Sequence, residues 1–136
     1  DLAIVLDDQK RYAEAEILYR RSMTIKEKLL GSEHRLVATS LNNQGWLLHA
    51  QGRLEEAEPV CCRAMDIYVR TLGPDHPDVS YPMHILAEVL RAQGRLEDAE
   101  PLFRRALTIR ENALPPRHPR IEQTRQALDD LLAKGK

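Results

Sequence analysis

The sequence predicts an all-α fold, a solenoid of stacked helix–turn–helix units with about seven helices in one array. Three observations carry this. A pattern repeats every 42 residues without insertion or deletion. Within each repeat, apolar and small residues fall at helical spacing. Strand-forming side chains are scarce: Val and Ile are sparse, and aromatics are 4% of the chain, with one Phe and one Trp.

The repeat is the strongest signal. Ala50-Gln51-Gly52-Arg53-Leu54-Glu55-Glu56-Ala57-Glu58-Pro59 returns as Ala92-Gln93-Gly94-Arg95-Leu96-Glu97-Asp98-Ala99-Glu100-Pro101, an offset of 42. One step earlier, Lys10-Arg11-Tyr12-Ala13-Glu14-Ala15-Glu16 keeps the pattern with Lys in place of Gly. Leu30-Gly31-Ser32-Glu33-His34, Leu72-Gly73-Pro74-Asp75-His76-Pro77 and Leu114-Pro115-Pro116-Arg117-His118-Pro119 hold the same period. Propeller blades share such a period but not helical spacing, and residue pattern separates the array from HEAT-type repeats.

Each unit reads as two helices. The first spans Val37 to Gln51, with Val37, Leu41, Gly45 and Leu48 on one face; its counterpart carries Val79, Met83, Leu86, Ala87 and Leu90. Gly52 and Gly94 stand where a helix end enters the left-handed region. The second helix runs from Leu54 to about Leu72, burying Leu54, Ala57, Cys61, Ala64 and Tyr68, with Val60 and Ile67 beside them. Glu55, Glu56 and Glu58 meet the positive end of its dipole. Asp75 or His76 caps the next helix, and Pro77 suits its first position. Pro82 lies five residues into that helix and predicts a kink or a late start. Ile121, Leu128 and Leu132 continue an apolar stripe at the end, while Arg125 and Asp129 give the last helix the polar outer face of a solenoid cap. At the start, Leu2 and Leu6 predict an incomplete first helix with an uncovered apolar face, hence weak self-association.

The net charge is −1, and Lys and Arg interleave with Glu and Asp, so no basic face for nucleic acid is expected. No apolar run nears the ~18 residues that span a membrane. Cys61 and Cys62 are adjacent and point about 100° apart on a helix, so no disulfide framework exists and a reducing, cytoplasmic setting is expected.

Catalytic and metal chemistry find little support. His34, His76 and His118 recur in the linkers, one per repeat, and are read as architectural. His49 and His84 are off-period, yet with Cys61 and Cys62 they offer no tetrahedral ligand spacing, so no metal or other cofactor is expected. Cys61 takes a large core position and reads as a buried, inert thiol; Cys62 lacks a basic neighbour. Glu55-Glu56 and Glu97-Asp98 are solvated first-turn charges, and no phosphate loop, HExxH or GxSxG occurs. The chain is not expected to be an enzyme.

The alternation of small and large residues resembles the tetratricopeptide repeat. It runs Leu41, Gly45, Leu48, Leu54, Ala57, Cys61, Ala64 and then Met83, Ala87, Leu90, Leu96, Ala99, Phe103, Ala106; Ala3, Leu6, Tyr12, Ala15, Tyr19 and Ser22 precede it. The Leu-Gly-x-x-His-Pro linker, Ser40-Leu41-Asn42-Asn43 and the Glu97–Leu107 segment resemble the kinesin-light-chain type. The resemblance implies one right-handed array over 1–136: a truncated first repeat at 1–40, repeats at 41–82 and 83–124, and the rest of a capping helix at 125–136. It also implies a concave face lined by first helices. Its outward stripe is Thr39, Asn42, Trp46 and His49, with Asn43 at the border, then Tyr81, His84, Glu88 and Arg91. Asp7, Asp8 and Asp130 on that face leave it mixed in sign. A scaffold gripping a peptide or protein partner follows; a self-associating spacer, or a regulatory arm of a larger protein, are the alternatives.

Overall fold

The computed structural model describes residues 9–31 and 34–134, with side chains from residue 13 onward. Six α-helices follow one another: α1 (Gln9–Leu30), α2 (Arg35–Ala50), α3 (Leu54–Leu72), α4 (Ser80–Ala92), α5 (Leu96–Ala113) and α6 (Pro119–Lys134). A 3₁₀ turn, Pro77–Val79, leads into α4. No strand occurs among the described residues. The expectations for Leu2, Leu6, Asp7 and Asp8, and for the first of seven helices, fall on residues outside this range.

Helices pack chiefly against their sequence neighbours, and the first helices of successive units, α2 and α4, also touch. This is the local contact pattern of a solenoid. The expected unit boundaries at 40/41 and 82/83 fall inside α2 and α4, whereas the hairpins break in the linkers.

Local chemistry explains the ends. His34, His76 and His118 each accept at Nδ1 from the backbone N–H two residues on, at Leu36, Asp78 and Arg120, all at 3.1 Å. An imidazole thus does the work of a Ser or Asp cap. Because His34 caps α2, the helix begins at Arg35, two residues before the sequence suggested. At the hairpin turns Gly52 and Gly94 have φ of 77° and 81°, and the next amides, Arg53 and Arg95, reach back to the carbonyls of Leu48 and Leu90. That is the six-to-one closure a left-handed residue permits. Pro82 produces the late start: α4 opens at Ser80, so Pro82 sits in its first turn, where the missing N–H costs little.

The core follows the small–large alternation. Ala57, Ala64, Ala99, Ala106, Cys61 and Phe103 are all fully buried. A Cβ on Gly45 would lie 2.6 Å from Cys61 Sγ, so α2 and α3 cross closely only because both residues are small. On α6 the buried face is Ile121, Thr124, Ala127, Leu128 and Leu131; Leu132, expected on that stripe, is partly buried, and Arg125 and Asp129 are exposed. Among the described residues no helix is long and apolar enough to cross a membrane.

Candidate functional site

The first helices α2, α4 and α6 line two adjoining hollows. One, of about 250 Å³, is walled by Tyr19, Asn42, Asn43, Trp46, Tyr81 and Arg120. The next, about 300 Å³, is walled by Trp46, His49, Glu88, Arg91, Gln126 and Asp130. Trp46, His84, Ile85 and Gln123 belong to both, so the hollows form one groove with Trp46 at its middle. Trp46 is 39% exposed, a large apolar surface left open to solvent.

Most of the stripe expected from sequence converges there: Asn42, Asn43, Trp46, His49, Tyr81, Glu88 and Arg91 line one hollow or both. His84 lines both as well, though almost wholly buried, and Thr39 stands apart. Thr39 lines neither hollow, and its hydroxyl is engaged with the Arg35 carbonyl and, at 2.6 Å, with the Tyr68 hydroxyl. His84 reaches the lining of both hollows but is only 6% exposed. Its Nδ1 lies 3.3 Å from Thr124 Oγ1 on α6, and its ring meets Phe103 edge-on at 5.5 Å. Burial, then the charges of Arg110, Arg91 and Arg120, push its pKa down to about 3, so the imidazole is neutral at pH 7.

The groove's electrostatics divide along its length. Around the second hollow Arg91 pairs with Glu88 at 2.5 Å, and Asp130 adds a second carboxylate. Burial lowers the pKa of His49, against the pull of Glu88. The first hollow contains no carboxylate in its lining. Its polar groups include Asn42, whose buried Oδ1 has no hydrogen-bond partner among the described residues, and two arginines that the sequence reading passed over. Arg110 of α5 and Arg120 of α6 place their guanidiniums 5.3 and 4.7 Å from the centre of the Tyr81 ring. A signal for Arg110 existed. It stands one repeat after Tyr68, on the stripe already read as buried.

The cysteines are poor nucleophiles. Burial pushes the Cys61 thiol up to about 12, and burial with Glu58 raises that of Cys62. Among the described residues no three His, Cys, Asp or Glu side chains gather as metal ligands. A more open depression at the hairpin turns, lined by Arg53, Glu56, Glu58 and Arg95, has its charges engaged in ion pairs between units.

Comparison with known proteins agrees with this architecture. The family model described as Tetratricopeptide repeat matches residues 1–68 and, again, 47–112. Among proteins with curated descriptions, none matches. Among solved structures, the nearly identical TPR-like repeats of a Podosopora anserina kinesin-light-chain protein superpose with a TM-score of 0.84 at 25% identity, over 96% of this chain and 62% of that one. BtubC (BKLC) from P. vanneervenii superposes with a TM-score of 0.82 at 24% identity, over 96% of this chain and 52% of its own. The chain therefore spans less than two thirds of either relative.

Proposed function

The chain belongs to the tetratricopeptide repeat family, of the kinesin-light-chain-like type, and on that premise we propose that its groove binds an extended segment of a partner protein. The family is in general a non-enzymatic protein-interaction scaffold. The observation that carries the finer reading is Trp46, an exposed indole between two hollows in the same lining as Asn42, whose Oδ1 has no partner among the described residues. Exposed aromatics in concave sites are the usual anchors of interfaces. The Asn42 amide offers a donor and an acceptor, as an extended backbone requires. Tyr81 flanks the anchor, and Glu88 with Arg91 confronts the partner's charges at the next unit.

The test is to select binders from a displayed peptide library and measure their affinity for three variants. Trp46→Ala is expected to cost about 2 kcal/mol or more, and Asn42→Ala about 1–2 kcal/mol. Arg70→Ala, on exposed α3 surface, should change nothing. Equal affinity across the three, with helicity intact, would move the site elsewhere.

A second reading rests on α1, whose Ile17, Leu18, Ile25 and Leu29 are exposed, Leu29 at 77%. Such a face favours contact with a second copy of the chain. Sedimentation that stays strictly monomeric at high concentration would remove it.

A further inference from the structure

Among the described residues, the first hollow is lined by two arginines and by no carboxylate to meet them. Arg110 is 3% exposed. Its Nε donates to Ser80 Oγ at 3.2 Å, and its Nη1 donates to Thr124 Oγ1 at 2.6 Å and to the Arg120 carbonyl at 3.3 Å. All three acceptors are neutral, and Nη2 has no acceptor among the described residues. Arg120 shares the Tyr81 ring and has no carboxylate partner there either. Burial and the charge of Arg120 draw the Arg110 pKa down to about 10, which still leaves Arg110 cationic at neutral pH.

The scaffold does not require a cation at this place. The same repeat position holds Lys26 in the first unit, whose Nζ donates to Ser40 Oγ, but Tyr68 in the middle one, whose hydroxyl meets Thr39. A buried charge without an opposite charge is costly, and costly groups that packing does not demand point to a ligand. Asn42 belongs to the same lining; its Oδ1 has no partner among the described residues, and its Nδ2 hydrogens are the group that can donate to an anion.

We propose that this hollow seats a phosphoryl group on the partner segment, a phosphoserine or phosphothreonine side chain, between Arg110, Arg120 and Asn42. The proposal rests on the groove as a peptide site and adds the chemistry of its occupant. A phosphoryl group carries roughly −1.5 to −2 charge at neutral pH and matches two guanidiniums; one carboxylate would leave a cation unmatched. The planar guanidinium fork also fits phosphate oxygens in pairs. The second hollow, with Glu88 and Asp130, repels such a group, so the partner's polarity along the groove is set by it.

Trp46 is the only tryptophan and lines the hollow, so its emission reports occupancy. Inorganic phosphate and acetate are titrated at constant ionic strength, with the Nε–H signals of Arg110 and Arg120 followed in parallel by NMR. Phosphate is expected to give a saturable response and acetate one roughly tenfold weaker. In a second arm, a library-selected peptide is made with serine, phosphoserine or glutamate at one position. Phosphoserine should bind roughly tenfold more tightly than either, and Arg120→Gln should abolish that advantage while leaving helicity unchanged. Arg120 is exposed, so this variant folds even where Arg110→Gln does not. Glutamate matching phosphoserine, or no saturable response to phosphate, overturns the proposal. Peptides that need Trp46 but ignore phosphorylation and Arg120 would overturn it while leaving the groove reading intact. Phosphate binding with no peptide bound by any route would remove the groove reading and with it the phosphorylated segment, leaving a bare anion site.

Discussion

Three successive junctions use the same repeat positions, and the one between the middle and third units fills them differently from the two on either side of it. Between the first and second units Lys26 Nζ donates to Ser40 Oγ at 2.8 Å; at the last junction, Arg110 Nη1 donates to Thr124 Oγ1 at 2.6 Å. Both pairs are 14 residues apart. Between them, the equivalent positions hold Tyr68 and Pro82, and the junction is apolar, with Val79 and Met83 in the same cluster as Tyr68. A solenoid junction is a local contract between neighbours, so one can be rewritten without disturbing the next. The same exchange moves the aromatic: Thr39 faces Tyr68 in the middle unit, whereas Tyr81 faces Arg110 in the third. It is this rewriting that places charge in the groove.

The interior shows a matching contrast, and breaking it gives the largest expected effect. Cys61 and Phe103 occupy one repeat position, and both are fully buried. Phe103→Ala should cost about 3–5 kcal/mol, since a large cavity opens beneath His84. Cys61→Ala should cost only about 1 kcal/mol, because a small side chain against Gly45 leaves little space behind. Urea unfolding of the two variants decides it. Equal losses would mean that packed volume does not distinguish the units.

A middling effect is expected from acid. His84 stands where the middle unit has Asn42, and its pKa is lowered to about 3 by burial and nearby arginines. The unfolded chain takes up this proton below about pH 6.5 and the folded chain does not, so stability is whole above that pH and falls as pH drops towards 3. At pH 5 the loss from this residue should be about 2 kcal/mol relative to neutrality. His84→Gln removes the titration, so its stability should fall less steeply with acid than the parent's. Parallel curves between pH 7 and 5 would show that His84 is not the group responsible.

Much of the fold was legible because it is written in period and in small residues. The limits of α3, the glycine turns, the linker histidines and the displaced start of α4 all follow from local rules. The groove was legible in part. The resemblance to the repeat family implied the stripe of Trp46, Asn42 and Tyr81, and helical spacing put each set on one face, which gives direction from the helix but not what stands opposite. His84 has the right direction and is nonetheless buried, because Thr124 and Phe103 close over it from α6 and α5. Arg110 was missed for the converse reason. Its charge suggested solvent, while its place on the Ala106 and Tyr68 stripe pointed inward.

The smallest effects belong to the ties between units, where a second pair of equivalent positions sharpens the comparison. Arg53 reaches back 37 residues to Glu16 at 2.6 Å, and Arg95 reaches back 37 residues to Glu58 at 2.9 Å. Each arginine also holds an acid on its own helix, Glu56 or Asp98. The two clasps differ in burial: Glu16 is nearly enclosed and shared with Arg20, whereas Glu58 and Arg95 are open to solvent. Exposed pairs contribute roughly 0.2–1 kcal/mol and weaken with salt, and less solvent around Glu16 should place its coupling at the upper end of that range. Double-mutant cycles for Arg53→Ala with Glu16→Gln, and for Arg95→Ala with Glu58→Gln, isolate the two couplings. The Arg53–Glu16 coupling should be the larger and should survive about 0.5 M salt, while the Arg95–Glu58 coupling should fade into error. Equal couplings that vanish together on adding salt would mean that burial of Glu16 has no electrostatic consequence, and that the clasps only record how the units already pack.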